Sequence, residues 1–169
     1  CVEKGAANRL VEECMVATNL AAARELRDAG GLFNVHAGFL TEKLKDACSI
    51  LKASGFTDLE QAEELNTLET YRRAMGWLGA SHEHAHQKKI LSRFLQRAAL
   101  SAEPGPHLGM GVEAYASFTS PLRRYVDFFN HAQLQRKLDG EQPIALKPEA
   151  VQQLETSLQA LRSAAYWAE

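Results

Sequence analysis

Residues 117–129, SFTSPLRRYVDFF, combine a helix-start signal with two adjacent arginines. Ser120 followed by Pro121 is typical of an N-cap and a first helical position, so we predict a helix over 120–138 that begins there. Arg123 and Arg124 then fall in the first turn of this helix. The helix macrodipole is positive at that end and favours acidic side chains, so the two cations need an explanation.

Two interpretations of these arginines are open. In the first, the free N–H groups of the first turn and Ser120 form an anion site, and an arginine fork binds phosphate oxygens in bidentate fashion. In the second, Arg123 pairs with Asp127, and Arg124 contacts Phe128 or solvent. Such an exposed ion pair is worth about 0.3–0.5 kcal/mol, roughly what the placement against the dipole costs, so it does not explain the choice of two arginines.

The composition predicts one compact domain with a hydrophobic core, since 46% of the 169 residues are hydrophobic and 24% are charged. The 19 Lys and Arg against 21 Asp and Glu give a formal net charge of −2, so any basic surface must be local. Cys14 lies in an apolar run, where we expect a buried, reduced thiol and hence a cytoplasmic setting. No apolar run is long enough to cross a bilayer, and we expect no membrane association.

Periodicity predicts a mainly α fold with a small β component (α+β). Helices are predicted over 7–29, 41–54, 82–100, 120–138 and from 147 to the last residue, and one or two helices over 58–79. A strand is predicted over 32–36, and a turn followed by an irregular strand over 101–119. The first helix is apolar nearly all round over 14–23, which indicates a buried helix. The side chains predicted to face inward from the second and fourth helices are Leu44, Ala47, Cys48, Leu51, Ile90, Leu91, Phe94 and Leu95.

The first predicted helix also carries two polar residues on one face, Glu12 and Asn19. A carboxylate on an otherwise apolar face needs a partner, because desolvating it alone is expensive. Glu12 can accept hydrogen bonds from a ribose hydroxyl or from a distant arginine. Arg9, three residues away, offers the simpler salt bridge, which we prefer slightly.

Metal-binding and nucleophilic motifs are weak in this chain. His82 and His86 have the four-residue helical spacing of half a zinc site, but no third ligand accompanies them, and we expect a solvated histidine cluster. The five aspartates are isolated from one another along the sequence, whereas two-metal phosphoryl chemistry needs converging carboxylates. The chain therefore resembles half an active site that holds an anion, and we predict no metal site within it.

Three stretches resemble one family. EAYASFTSPLRRYVDFFNH (113–131) resembles the signature of the ribonuclease II/R family, and NRLVEECMVATN (8–19) and EPGPHLGMGVEAY (103–115) are similar to other blocks of the same catalytic domain, called RNB. The blocks occur in family order, and the resemblance covers essentially the whole chain. It is strongest to the bacterial ribonuclease II branch.

The resemblance implies a processive 3′-to-5′ hydrolytic exoribonuclease that degrades single-stranded RNA to nucleoside 5′-monophosphates. The family holds Mg²⁺ with clustered aspartates that precede Asn8, so they lie outside this chain. We therefore interpret residues 1–169 as the C-terminal portion of a single catalytic domain, without its N-terminal half and the flanking OB-type RNA-binding domains. Its expected partners are single-stranded RNA and the remainder of that domain, in a monomer. The fragment alone should be inactive.

The resemblance also assigns roles to single residues. Arg123 corresponds to the catalytic arginine near the scissile phosphate, and Glu12 to a glutamate that contacts the terminal nucleotides. Glu169 corresponds to a glutamate of the last helix near the exit of the RNA channel. The full set expected to bind substrate is Glu12, Tyr115, Thr119, Ser120, Arg124 and Glu169.

Two alternatives to the nuclease are retained. A non-catalytic RNA-binding module would use Ser120 and Arg123 as a phosphate clamp, and its affinity for RNA would depend on salt. A plain helical scaffold with an incidental motif would bind neither phosphate nor RNA.

Overall fold

The computed structural model describes the backbone of residues 5–167 and the side chains of residues 5–161. The helices and strands are α1 (Ala6–Leu26), β1 (Phe33–Val35), α2 (Leu44–Ala53), α3 (Leu68–Gly79), α4 (Ala85–Leu91), β2 (Ala99–Ser101), α5 (Tyr125–Leu138) and α6 (Pro148–Trp167). Short 3₁₀ helices cover Thr41–Lys43, Ala62–Asn66, His82–His84, Ser92–Phe94 and Leu108–Met110. The mainly α fold class with a small two-stranded sheet is confirmed.

The chain divides into two compact units. The first contains the described residues up to Asn34, residues 99–105 and the described residues from 114 onward. The second contains residues 35–98 and 106–113. Each unit has a hydrophobic core of its own.

In the first unit, α1 packs on α5, and α6 packs on β2. Its core joins Leu32 to Val126 and Phe129 of α5 and to Val151 of α6. α5 ends at Leu138, where predicted, and Gly140 follows with a φ of 71° that favours glycine.

In the second unit, α2 and α3 supply most of the core. Leu44, Ala47, Cys48 and Leu51 are all buried on one stripe of α2, which confirms the predicted inward face. They belong to one cluster with Phe39, Leu65, Tyr71, Ala74, Leu78 and Leu91. α2 ends before Gly55, whose φ of 100° matches the predicted glycine stop.

The prediction that α1 is buried over 14–23 is wrong for its first half. Leu10, Val11, Cys14 and Met15 are exposed, and burial begins at Asn19. Within the described part of the chain, the buried residues of α1 all lie in its C-terminal half: Asn19, Ala22, Ala23 and Leu26. The apolar composition was therefore a correct sign of a helix but not of its burial here, and the expected buried thiol at Cys14 is likewise wrong.

The helix predicted over 82–100 is also too long. Its helical conformation ends at Phe94, and Leu95 is extended with a ψ of 143°. The backbone finds other partners: Leu40 N–H donates to Phe94 O, and Gln96 N–H donates to Gly38 O, both at 2.8 Å. These tertiary hydrogen bonds replace the helical ones that the local sequence favoured, and β2 follows.

A pair of histidines, His36 buried and His107 half-buried, joins two loops of the second unit. The rings of His36 and His107 are stacked, with centroids 5.2 Å apart. His36 Nδ1 accepts hydrogen bonds from Gly38 N–H at 3.1 Å and from Gly109 N–H at 3.3 Å. Two donors on Nδ1 require a neutral ring with its proton on Nε2. Burial lowers the pKa of both rings, and the neighbouring His36 lowers that of His107 further.

We expect this pair to make the second unit less stable in acid. The folded pKa values lie below the unfolded value of about 6.5, so the unfolded chain binds more protons and stability falls as the pH drops below that value. Amide hydrogen exchange at Gly38 and Gly109, corrected for intrinsic rates, should accelerate between pH 8 and pH 5.5. His82→Gln, which changes an exposed ring, should leave this trend intact; protection that is independent of pH would refute it.

No helix within the described residues is long and apolar enough to cross a membrane.

Candidate functional site

The arginines lie in a tight turn before α5, not in its first turn. Arg123 N–H and Arg124 N–H both donate to Ser120 O, at 3.3 and 3.0 Å, and close the turn. Arg124 is then extended as the N-cap, and α5 begins at Tyr125. The predicted helix start, with Ser120 as N-cap and Pro121 as the first helical residue, is therefore wrong. The turn, whose closing acceptor is Ser120 O, replaces the predicted first helical turn.

Asp127 fixes this turn from the first turn of α5. Its side chain is 0% exposed, and its Oδ2 accepts from Ser120 N–H and from Arg124 Nη2, each at 2.8 Å. A carboxylate here also interacts favourably with the positive end of the helix. The ion pair that the sequence suggested for Arg123 is made instead by Arg124, which therefore has a structural role.

Arg123 differs from Arg124 in its surroundings. It is exposed, and its guanidinium makes no hydrogen bond or ion pair within the part of the chain that the structure describes. Leu122 beside it is fully exposed, and more than half of Tyr125 and of Phe128 is exposed. The segment therefore offers one unpaired cation together with aromatic surface. Phosphate oxygens and nucleobases can use these two features.

Side chains from α1 and α5 hold the segment that leads into the turn. Asn19 Nδ2 donates to Tyr115 Oη at 2.7 Å, and Asn19 Oδ1 accepts from Phe118 N–H at 3.0 Å. The His131 ring stacks on Phe118 with centroids 3.7 Å apart, and its Nε2 donates to Phe118 O at 2.8 Å. These contacts fix the backbone just before Thr119.

Asn130 and Gln133 extend this buried polar network. Asn130 accepts from Leu32 N–H and donates to Leu32 O and to Ser117 O, at 2.7, 3.0 and 2.9 Å. Gln133 binds Gly30 O and both backbone groups of Ile144. Side chains bind Ser117 O, Phe118 N–H and Phe118 O, and a backbone partner comes from β1, where Asn34 N–H donates to Tyr115 O at 2.8 Å. No strand is formed at 114–119 among the described residues, so the predicted irregular strand is wrong. Ala114 and Ala116 are nevertheless buried.

The structure brings some of the predicted substrate-binding residues together. Tyr115, Thr119, Ser120 and Arg124 belong to the same half-buried segment as Arg123. Glu12 is exposed on α1, two turns from Asn19, and Glu169 lies outside the described residues. Thr119 Oγ1, Arg124 Nε and Asp127 Oδ1 are buried and make no hydrogen bond within the described residues, which is uncommon for buried polar atoms.

The positioning residues of this site were not predicted from the sequence. Asn130, His131 and Gln133 were not singled out, and Asn19 was noted only as the companion of Glu12. A signal was present, because Asp127, Asn130 and Gln133 follow the helical spacing that Val126 and Phe129 establish for the buried face of α5. Polar residues at such positions need fixed partners.

The histidines of the third 3₁₀ helix and α4 do not form a metal centre in the described residues. His82 and His86 are exposed, as the solvated interpretation predicted, and His84 stacks on Trp77. No group of three or more His, Cys, Asp or Glu residues that could hold a metal ion occurs within the side chains described.

Comparison with known proteins identifies the family. A family model of the RNB domain matches residues 1–140. The chain belongs to the RNB domain family, a family that includes RNA exoribonucleases.

Curated relatives give the same assignment. Exoribonuclease 2 of Salmonella arizonae is 41% identical over 150 residues, which are 88% of this chain and 23% of the relative. Exoribonuclease 2 of Salmonella newport is 44% identical over 137 residues, which are 80% of this chain and 21% of the relative. The chain thus spans between a fifth and a quarter of the length of these relatives.

Solved structures share the fold at low sequence identity. Mycoplasma genitalium RNase R in complex with ribose-methylated single-stranded RNA matches 90% of this chain and 24% of its own, with a TM-score of 0.59 and 22% identity. Yeast Ssd1, described as a pseudonuclease, matches 88% of this chain and 18% of its own, with a TM-score of 0.64 and 18% identity. The fold therefore occurs in a nuclease and in a protein described as inactive.

Proposed function

We propose that this chain is part of a processive 3′-to-5′ exoribonuclease that hydrolyses single-stranded RNA to nucleoside 5′-monophosphates, and that Arg123 is its catalytic arginine. The family membership and the exoribonuclease 2 relatives support the class of reaction. The remainder of the catalytic domain would be supplied by the longer protein.

One observation carries the role of Arg123. Two adjacent arginines have different environments: Arg124 is paired with the buried Asp127, whereas Arg123 is exposed and has no partner within the described residues. The guanidinium has no partner among the described residues, although α1 and α5 hold the segment that carries it in place. This arrangement is explained if the partner of Arg123 is part of the substrate. The planar guanidinium can donate two parallel hydrogen bonds, and a phosphate group accepts them well.

The chemistry follows from charge. Hydrolysis of a phosphodiester builds negative charge on the phosphoryl oxygens, and a preorganised guanidinium neutralises that charge without reorganising. Asp127 and Arg124 would keep the turn rigid, and Tyr125 and Phe128 would offer faces to bases. Mg²⁺, when bound, would activate the attacking water; the described residues offer no carboxylate cluster for it, so we assign its ligands to aspartates outside this chain.

A second candidate is an RNA-holding module without hydrolysis. It is favoured by the likeness of the fold to yeast Ssd1, which is described as a pseudonuclease. In that case the unpaired Arg123 would bind a phosphate without cleaving it.

The two candidates are separated by assaying the full-length protein on single-stranded RNA labelled at its 5′ end, with Mg²⁺ present. The nuclease should shorten the RNA stepwise from its 3′ end and release nucleoside 5′-monophosphates, identified by chromatography. Salt-dependent binding with intact RNA would support the holding module instead. Internal cleavage products would contradict the exonucleolytic proposal.

A further inference from the structure

A cavity of about 440 Å³ opens in the second unit, between α3, α4 and the turn at Leu108–Gly111. Its apolar wall is formed by Phe39, Met75, Leu91, Leu95 and Met110. None of the residues proposed for catalysis or substrate binding above lines it. An open, mostly apolar cavity with a few polar groups is the usual form of a small-molecule site.

The charged residues that line the cavity are both cations. Arg72 and Lys88 line it, and no carboxylate does. The Lys88 ammonium has no hydrogen bond or ion pair within the described side chains, and Arg72 donates only from Nε, to Gly111 O at 2.6 Å. Both Nη groups of Arg72 remain available. Two cations that form no ion pair with any described side chain lie on one apolar cavity, and this arrangement favours an anionic ligand.

The tyrosine hydroxyl of a buried residue lines the same cavity. Tyr71 is only 4% exposed and packs against the Phe39 ring with centroids 5.8 Å apart. Its hydroxyl makes no hydrogen bond to any described residue, and burial raises the pKa of Tyr71, so the group stays protonated at neutral pH. This hydroxyl faces the open cavity and can donate a hydrogen bond to a ligand there.

We propose that this cavity binds a nucleotide, with the base against the apolar wall, an acceptor on its edge or ribose bound to Tyr71 Oη, and the phosphate held by Arg72 and Lys88. A phosphate joined to a planar base would contact the apolar wall, the two cations and the Tyr71 hydroxyl together. Inorganic phosphate would contact only the cations. In an RNA exoribonuclease family, the ligand has two sources: a free nucleoside monophosphate or a nucleotide within an RNA chain.

Two glycines of α3 provide a matched pair of variants. Gly76 lines the cavity, and a Cβ there would meet nothing within 4 Å. Gly79 lies one turn further along α3, has the same open surroundings and does not line the cavity. Gly76→Leu therefore places a side chain at the cavity from a position where its Cβ has room, and Gly79→Leu controls for the added side chain.

The test is calorimetric titration of the full-length protein with adenosine 5′-monophosphate (AMP), in EDTA so that no hydrolysis occurs. We expect Gly76→Leu to weaken AMP binding by about tenfold or more and Gly79→Leu to leave it unchanged. Adenosine and inorganic phosphate should each bind at least about tenfold more weakly than AMP. Equal AMP affinity in Gly76→Leu and in the unchanged protein would overturn the site, and so would adenosine binding as tightly as AMP.

Charge variants keep the proposal testable if Gly76→Leu does not fold. Arg72→Gln combined with Lys88→Gln should weaken AMP by about tenfold or more, while Lys89→Gln, an exposed lysine beside the cavity residues, should not. A competition experiment between an oligoadenylate and AMP identifies the source of the nucleotide. An oligoadenylate that binds more tightly than AMP would identify RNA as the source, and one that binds more weakly would identify the free monophosphate. A charge variant that binds AMP normally would refute the proposal. These results do not depend on hydrolysis, so they stand apart from the proposed nuclease activity.

Discussion

Arg123→Ala in the full-length protein should lower the single-turnover rate of RNA hydrolysis by about 10³-fold, while RNA affinity stays within about tenfold of the original. The guanidinium is proposed to act on charge that develops in the transition state, whereas many other contacts hold the RNA. Rate and affinity are separated by measuring cleavage under saturating enzyme and binding without Mg²⁺. Because Arg123 has no partner within the described residues, its removal should not alter stability.

Arg97→Ala is the matched control. Arg97 is also exposed and also lacks a partner among the described side chains, but it is not in the turn before α5. Its loss should change the rate by less than about twofold. If Arg123→Ala cleaves RNA at a normal rate, Arg123 is not the catalytic arginine.

Asp127→Ala should destabilise the protein by about 3 kcal/mol. Without the carboxylate, Ser120 N–H loses its buried hydrogen-bond acceptor and Arg124 loses its ion pair. The Arg124 side chain is only 36% exposed, so water compensates poorly for the lost negative charge. Urea denaturation of the full-length protein, followed through amide exchange on α5, measures the loss. Activity should fall with it, because the turn that carries Arg123 is no longer fixed.

Two further aspartate variants calibrate this result. Asp46→Ala removes an exposed ion pair, in which the side chains of Lys43 and Asp46 are 43% and 55% exposed. It should lower the free energy of unfolding by less than about 1 kcal/mol. Asp127→Asn keeps one oxygen acceptor and should be intermediate. An Asp127→Ala protein as stable as Asp46→Ala would mean that the carboxylate does not hold the turn.

The sequence predicted the helices wherever local pattern and tertiary packing agree. The stripe of Leu44, Ala47, Cys48 and Leu51 is strictly helical, a glycine follows it, and the structure buries all four side chains. The resemblance of 113–131 to a family signature likewise located the segment that holds the unpaired arginine. Both rest on information that lies within a short stretch of chain.

The remaining features depend on contacts between distant residues. Ser120-Pro121 has the local chemistry of a helix start, but the turn closed by Ser120 O and fixed by Asp127 moves the start of α5 to Tyr125. The helix through 82–100 is cut short because Leu40 and Gly38 supply alternative backbone partners. The burial of α1 depends on what lies against Leu10 and Val11, which the sequence of α1 does not specify.

The most direct test of the proposed role of Arg123 is the structure of the full-length protein bound to an RNA that it cannot hydrolyse. The Arg123 guanidinium should lie within hydrogen-bonding distance, about 2.7–3.2 Å, of a phosphate oxygen at the 3′ end of that RNA. Arg124 should still be paired with Asp127. An Arg123 side chain that instead pairs with a carboxylate and contacts no phosphate would contradict the account.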